Sequence, residues 1–338
     1  MRRLLPPLLP FLVAASAVLA GCGGDSSSTT EPACCPPSQS QSARTPQTLP
    51  RGFTPHRATA VVTGWHLPVA TGRQAVVGIG PGQVLLAGGL LAGDSSTARV
   101  TRIHLRSGHT SPAPSLAVPV HDTAGGLVAG VPTVVGGGNS TEQSVIQVLD
   151  GDRWRVAAHL PTTRSDLSVA ELGRSRAFVL GGYDGTATPT AILALSPHGR
   201  FRQVGHLASG TRYAATAVLG HTAYLFGGEV LGRELASVQA VDLASGRTRV
   251  VAHLPMPLGH AMAATVGSRI LLMGGRVSPA AQTAAMWWFD PSTATFSRAG
   301  HLPSPVSDAG VAAYRHGVWL LGGEDPAVTA RVVFVKVR

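Results

Sequence analysis

The sequence has no cysteine after Cys35, so disulfide bonds cannot stabilise its larger, C-terminal part. Lysine is nearly absent too: Lys336 is the only one, and arginine supplies the excess of 27 basic over 17 acidic residues. No run of basic residues occurs, which argues against nucleic-acid binding. The preference for arginine is typical of a compositional bias, although a basic protein can attract anionic lipid headgroups or polymers.

Residues 1–21 have the features of a targeting segment, with Arg2 and Arg3 ahead of the apolar stretch Leu4–Ala20. An uncleaved membrane helix is disfavoured, because this stretch has only 17 residues and contains three prolines. The stretch Leu19–Cys22 resembles the bacterial lipobox. That resemblance implies that Cys22 carries a lipid and becomes the first residue of a mature protein anchored in the bacterial cell envelope, outside the cytoplasm.

Residues 22–56 are rich in Ser, Thr, Pro and Gln, which predicts a disordered tether. A flexible chain of this length spans about 30 Å, enough to hold a domain away from a bilayer. Cys34 and Cys35 are adjacent, so they favour an intermolecular bridge or two free thiols. The remaining 282 residues, 57–338, suit one domain.

A glycine pair preceded by a short apolar run recurs through this domain. The first glycines are 44 to 49 residues apart, at Gly88, Gly136, Gly181, Gly227, Gly274 and Gly322. A period of this size indicates a repeat architecture. The apolar run predicts a buried strand, and the glycines let the chain turn or approach another backbone closely. They do not resemble phosphate-binding loops, because no Gly-Lys-Ser/Thr follows them.

A second marker, His-Leu-Pro or a near copy, precedes five of the glycine pairs by 21 or 22 residues and has the same phase. Its histidines are His66, His159, His206, His253 and His301. The spacing between markers leaves room for four short strands per unit, in the fourth unit near Ala214–Leu219, Thr222–Phe226, Ser237–Asp242 and Arg247–Val251. Four-stranded antiparallel units of this length are the blades of a β-propeller.

The units resemble kelch repeats in the glycine pair after strand two, in the Leu-Pro after strand four, and in an aromatic residue within strand four (Trp154, Phe201, Phe296). The resemblance covers residues 57–338 and implies an all-β, six-bladed kelch propeller. Three units depart from it, with Val61, Thr110 and Thr248 at the aromatic position. Arg57–Thr63 reads as a lone fourth strand, and the chain ends with a third strand, Arg331–Lys336; the first should complete the last blade and close the ring.

In kelch propellers, ligands usually bind the face formed by the loops that lead into strand one and the loops that follow the glycine pair. Residues that are equivalent in the repeat but differ in chemistry are the most informative, because a purely structural role predicts sameness. The ligand-binding candidates on this face are Arg73, His121, Asp122, Arg164, Asp166, Arg212, Tyr213, Glu229, His260 and Asp308. Further polar residues of the same loops include Asp94, Asn139, Glu142, Tyr183, Asp184, Arg233, Arg276, Ser307, Glu324 and Asp325.

No metal or cofactor is expected. The marker histidines lie on successive blades, about 60° apart around the axis, too far apart to share an ion at about 2 Å. A structural role for them, such as a hydrogen bond to a neighbouring blade, is favoured. The resemblance brings in copper oxidases of the galactose-oxidase type, whose cysteine–tyrosine cross-link cannot form without cysteine. No sialidase box is present either.

These observations favour a binding module without catalytic residues: a monomeric, lipid-anchored propeller that recognises an envelope protein or a glycan through its loops. It would meet the membrane through the lipid alone. The alternative is a sugar-active enzyme similar to the sialic-acid mutarotases, for which Arg164, Arg212, His121, His260 and Glu229 could supply acid/base and polar contacts. A deep pocket with shifted pKa values would favour the enzyme, and a shallow, mixed-charge face the binding module.

Overall fold

The computed structural model describes residues 53–173, 175–315 and 317–338. The proposed signal segment and most of the tether, including Cys22, Cys34 and Cys35, lie outside this part. Six four-stranded antiparallel sheets form the six blades of a β-propeller, as the repeat predicted. Within the described residues, no helix is long and apolar enough to cross a bilayer.

Each blade is formed by strands in the order one to four from the axis outward. Blade 1 contains β2 (Ala75–Gly80), β3 (Gln83–Ala87), β4 (Val100–His104) and β5 (His109–Ala113). Blade 2 contains β6 (Ala124–Val128), β7 (Val131–Val135), β8 (Val145–Asp150) and β9 (Arg153–His159). Blade 3 contains β10 (Ser168–Leu172), β11 (Arg176–Leu180), β12 (Ala191–Leu195) and β13 (Phe201–His206), with a 3-10 turn at Pro197–Gly199.

Blade 4 contains β14 (Ala215–Leu219), β15 (Thr222–Phe226), β18 (Ser237–Asp242) and β19 (Thr248–His253), with the hairpin β16 (Glu229–Val230) and β17 (Arg233–Glu234). Blade 5 contains β20 (Met262–Val266), β21 (Arg269–Met273), β24 (Ala285–Asp290) and β25 (Thr295–His301), with the hairpin β22 (Arg276–Ser278) and β23 (Ala281–Gln282). Blade 6 contains β26 (Gly310–Tyr314), β27 (Gly317–Leu321), β28 (Val332–Val337) and β1 (Ala58–Val62).

The apolar core lies between the blades. Side chains alternate between the two faces of each strand, so every blade packs against both of its neighbours. Six clusters of buried hydrophobic residues result, one for each pair of adjacent blades. Between blades 5 and 6, for example, Trp288 and Met273 pack with Leu320 and Val335.

The ring closes as predicted. Strand β1 pairs with β28 in an antiparallel register from Ala58 opposite Val337 to Val62 opposite Val333. The first strand of the chain therefore supplies the outer strand of the last blade, which ties the two ends of the domain together. All six blade sheets and this closure lie within residues 53–338, so that range is a self-contained folding unit.

The glycine pairs make close contacts between blades. The first glycine of each pair has φ between 56° and 68°, and the second between 95° and 117°. A Cβ on the first glycine would lie only 2.1–2.5 Å from a carbonyl oxygen of the following blade. The N–H of the second glycine donates to the same oxygen at 2.7–2.9 Å. This contact excludes any side chain and explains why the pair recurs.

The repeated leucine, rather than the histidine, is the structural element of the His-Leu-Pro marker. All six equivalent leucines are buried, and their N–H groups donate at 2.7–2.8 Å to the carbonyl of the second residue before strand three. His159 and His206 are exposed and hydrogen-bond the hydroxyls of Ser144 and Thr190 in their own blades. The expected bond to a neighbouring blade is wrong for these two histidines.

The propeller has two different ends. The loop face comprises the loops that lead into strand one and those that follow the glycine pairs. The turn face comprises the turns between strands one and two and between strands three and four. Residues 53–56, which the sequence assigned to the tether, lie on the turn face: the carbonyl of Phe53 accepts from Ser268 N, and that of Pro55 from Arg269 Nη1 at 3.0 Å.

Candidate functional site

One residue from each blade forms a ring on the loop face, just before strand one. The members of this axial ring are Arg73, Asp122, Asp166, Tyr213, His260 and Asp308, and all are among the ten predicted candidates. Five backbone hydrogen bonds of 2.8–3.0 Å run from one member's N–H to the carbonyl of the member in the preceding blade. These bonds connect all six blades in sequence, including the step from blade 1 back to blade 6.

All six members of the axial ring have left-handed backbone geometry, with φ between 49° and 58°. Glycine is the residue best suited to this region, and a side chain there costs about 1 kcal/mol or more, except that Asp tolerates it better. None of the six positions is glycine. Because Arg73, Tyr213 and His260 occupy strained positions, their side chains have a use that offsets the backbone cost.

The residue before each ring member pairs with the loop that follows the glycine pair of its own blade. These short bridges join His121 to Gly138, Arg212 to Glu229, Gly259 to Arg276 and Ser307 to Glu324. They carry Glu229, Arg276 and Glu324, the second residue after the glycine pairs of blades 4, 5 and 6, towards the ring. Arg276 and Glu324 belong to the predicted loops but were not among the ten candidates.

Arg73 is at one end of a continuous polar network. Its Nε and Nη2 donate to the carboxylate of Glu324, and its Nη1 lies 3.2 Å from Asp122 Oδ2. The same Nη1 donates to Tyr213 Oη at 3.4 Å, while the Tyr213 hydroxyl donates to Asp122 Oδ2 at 3.3 Å. Glu324 also accepts from Arg276 Nη2 at 2.6 Å, which continues the network into blade 5.

His260 is held between two carboxylates. Its Nδ1 is 2.7 Å from Asp308 Oδ1, and its Nε2 is 3.5 Å from Glu229 Oε2. The ring of Tyr213 stacks on it with centroids 3.7 Å apart. Burial opposes the charged imidazole, but Asp308 and then Glu229 outweigh it, so the pKa of His260 is raised. His260 is therefore a stable imidazolium with both nitrogens engaged.

The two carboxylates respond in the opposite direction. The hydrogen bond from His260, supported by Arg212, lowers the pKa of Glu229 to about 2. Burial disfavours charge on Asp308, but His260, Arg73 and Arg276 outweigh it and hold the pKa of Asp308 below its usual range. Both groups are therefore ionised near neutral pH and form a salt-bridged unit with the imidazolium.

Asp166 behaves differently from the other carboxyl groups. Burial, and then the charge of Asp122, raise the pKa of Asp166 to about 8, although Arg212 Nη1 lies 3.5 Å away. Asp166 therefore keeps its proton near neutral pH. Three guanidinium groups and one imidazolium then face four carboxylates, so the network is close to electrically balanced.

Arg212 is the most accessible charged group of the network. It donates to Glu229 Oε1 at 2.7 Å through Nη2, and its guanidinium lies 4.9 Å from the centroid of Tyr183. Its side chain is 27% exposed, compared with 19% for Arg276 and 17% for Arg73. The side chains of Asp166, His260 and Asp308 are at most 5% exposed. Solvent therefore reaches the guanidinium groups, while the groups that can carry a proton are covered.

Two predicted candidates lie outside or at the edge of the network. Arg164 is fully buried; its Nη1 donates to the carbonyls of Gly181 and Ala191, and burial lowers its pKa. It occupies the position that is Thr or aliphatic in the other blades, so it belongs to the blade interior. His121 lies at the edge, with Nε2 3.4 Å from Asp122 and Nδ1 2.8 Å from Ser96 Oγ.

The network resembles no group of metal ligands: in the part of the chain that the structure describes, no three His, Cys, Asp or Glu side chains are arranged to hold a metal ion. A second concave feature, on the turn face between blades 2 and 3, has an apolar floor and a rim of Asp150, Arg155 and His198. Comparison of the chain with models of protein families finds no match, and comparison with curated proteins finds none. The fold and the network therefore define the class of protein: a six-bladed β-propeller with a charged ring at the mouth of its axis.

Proposed function

We propose that this propeller is a binding module whose loop face recognises an acidic group of an envelope protein or glycan. The supporting observation is that the solvent-accessible groups of the network are Arg73, Arg212 and Arg276. A guanidinium group stays charged at all relevant pH values and donates to carboxylates in a fixed planar geometry. It binds anions well and does not transfer protons.

A sugar-active enzyme of the sialic-acid mutarotase type is the alternative. The observation in its favour is that the network contains proton-carrying groups with shifted pKa values, namely Asp166 and His260. Binding is nevertheless favoured. His260 has a carboxylate at each nitrogen, and Asp166 lies beneath Arg212, so neither can reach a substrate without displacing its partners.

The kelch assignment and the anchor belong to the same proposal. The inter-blade glycine contact and the buried marker leucine support kelch-type blades, as do Trp154 and Phe296, which pack in the apolar clusters. Phe201 is exposed and does not add to this support. A lipid on Cys22 would place the domain in the bacterial cell envelope, on the outer side of a membrane.

The test uses the 53–338 fragment on an array of neutral, carboxylated and sulfated glycans, together with a pull-down from envelope extracts. We expect saturable binding to an acidic ligand. Replacing Arg212 by Gln should weaken it about 10- to 100-fold, the range for losing a hydrogen bond to a charged group. The matched control is Arg102→Gln, because Arg102 is exposed on strand β4, away from the loop face.

Thermal unfolding of both variants checks that they remain folded. Equal binding by Arg212→Gln and Arg102→Gln would contradict the proposed site. Turnover of a bound sugar that is lost in His260→Gln or Asp166→Asn would replace the binding module by the enzyme. A fragment that binds no acidic ligand in either format would contradict the function itself.

A further inference from the structure

The charges of the propeller are distributed unequally between its two ends. On the loop face, ten acidic residues face seven arginines, of which one is the buried Arg164. The turn face, with the strand residues that directly flank its turns and the chain ends beside it, has the opposite balance. Its described arginines number nine: Arg57, Arg106, Arg153, Arg176, Arg200, Arg247, Arg269, Arg315 and Arg338. Its described acidic residues number four: Asp150, Asp152, Asp242 and Asp290.

The four aspartates do little to neutralise this surface. Asp242 accepts from the backbone N–H groups of Ala244 and Ser245, which positions its carboxylate within its own turn. Asp290 does the same with Ser292 and also pairs with Arg269. Eight of the nine arginines are exposed, and every blade contributes at least one arginine to the turn face. The positive charge is therefore spread over this end of the molecule as a continuous surface and is not confined to one patch.

The N-terminal segment meets the propeller on the same face. Strand β1 runs from the turn face to the loop face, because it ends at the His-Leu-Pro marker. The residues before it lie along the turn face: Thr54 Oγ1 is 3.1 Å from Ser268 Oγ, and His56 N donates to the carbonyl of Arg338. The 52 residues that precede Phe53, including Cys22, therefore join the domain at its basic end.

We propose that the turn face is a docking surface for an anionic bilayer. The choice of a bilayer as the partner rests on the proposed lipid anchor, because a tether that begins at a lipid and ends on the turn face brings this surface to the membrane. Arginines near a membrane are attracted to the negative potential of anionic lipids. Val131 and Phe201, two exposed hydrophobic residues on the same face, can contact the headgroup region.

Docking in this way has a consequence for the loop face. The two faces are opposite ends of the same blades, so a propeller whose turn face lies on the membrane presents its axial ring and Arg212 to the side away from the bilayer. The tether then limits the distance, while the arginines set the orientation. The membrane contact is thus twofold, by lipid and by charge, where the sequence predicted the lipid alone.

The experiment measures binding of the anchor-free 53–338 fragment to sedimented vesicles of phosphatidylcholine, with and without 30% phosphatidylglycerol. We expect binding to the anionic vesicles, little to the neutral ones, and loss in high salt. The test variant is Arg106→Gln/Arg247→Gln, which removes two exposed turn-face charges from blades 1 and 4. In the described structure neither side chain makes a hydrogen bond or an ion pair, so the fold should persist.

The matched control is Arg99→Gln/Arg233→Gln, which removes two exposed charges from the loop face and changes the net charge equally. Each arginine at an anionic surface contributes about fivefold in binding. The turn-face double should therefore lose about 25-fold in vesicle partitioning, and the control less than about twofold.

Equal losses in the two doubles would overturn the proposal, because binding would then follow net charge and not the turn face. So would equal binding to both kinds of vesicle. Stronger binding to soluble polyphosphate than to anionic vesicles would also overturn it and point to a polyanionic polymer as the partner. None of these outcomes depends on the glycan array, so failure here is distinguishable from failure of the loop-face function.

Discussion

Replacing Asp166 by Asn tests whether this buried carboxyl holds a proton near neutral pH. The ordinary pKa of the group is 3.8, and in the folded chain it is raised to about 8. Between these values the folded chain binds one proton more than the unfolded chain. Stability is then greatest at low pH and falls as the pH rises towards 8, because unfolding releases that proton.

The magnitude follows from one proton. A difference of one bound proton changes the free energy of unfolding by about 1.4 kcal/mol per pH unit, or about 2 kcal/mol between pH 5.0 and 6.5. This window isolates Asp166. Glu229, with its lowered pKa, is ionised in both states above pH 5, and His260, with its raised pKa, is largely charged in both states below pH 6.5.

The assay is urea unfolding of the 53–338 fragment at four pH values from 5.0 to 6.5, followed by tryptophan fluorescence. The wild-type free energy of unfolding should fall by about 2 kcal/mol across the series, and that of Asp166→Asn should stay level, since the amide resembles the protonated carboxyl. The exposed Asp152, replaced by Asn, is the matched control and should keep the wild-type slope. An unchanged slope in Asp166→Asn would refute the assignment of the proton to this residue.

Two further predictions concern the fold. Gly181→Ala should cost clearly more than Gly220→Ala in urea unfolding: both residues have φ near 62°, but a Cβ at Gly181 lies 2.5 Å from Thr211 O, whereas Gly220 has no neighbour within 4 Å. We expect about 1 kcal/mol for Gly220→Ala and at least about twice that for Gly181→Ala, and equal costs would contradict the steric explanation. Deleting residues 53–62 should lower the thermal midpoint and promote aggregation, because it exposes the edge of β28; a native midpoint would show that the closing strand is dispensable.

The fold was predictable because its signals are local and repeated. A short apolar run followed by two glycines specifies a strand and a close approach, and six copies with one phase leave few architectures open. Ring closure was predictable as well, since a lone fourth strand at the start and a missing one at the end complement each other. Strand limits in the fourth blade differed by one or two residues, at the ends where strands fray into turns.

The candidate site was predictable in part. Eight of the ten candidates come together in one network, because equivalent loop positions of successive blades must converge on the axis. Arg164 was placed in the same loop, yet a shift of two residues along a backbone in left-handed geometry turns its side chain into the blade interior. Arg276 and Glu324 were harder to select, although they share the phase of Glu229 after the glycine pair.

The sequence by itself determined the number of blades, the way the ring closes and the loops that face the axis, because each depends on spacing along the chain. Only the tertiary structure decided which side chains neutralise one another, since the pairing of His260 with Asp308 and Glu229 joins residues from three blades. It also decided where the basic excess lies. Composition shows the excess of arginine, but antiparallel blades place alternate turns at opposite ends, and this geometry collects the arginines on the turn face.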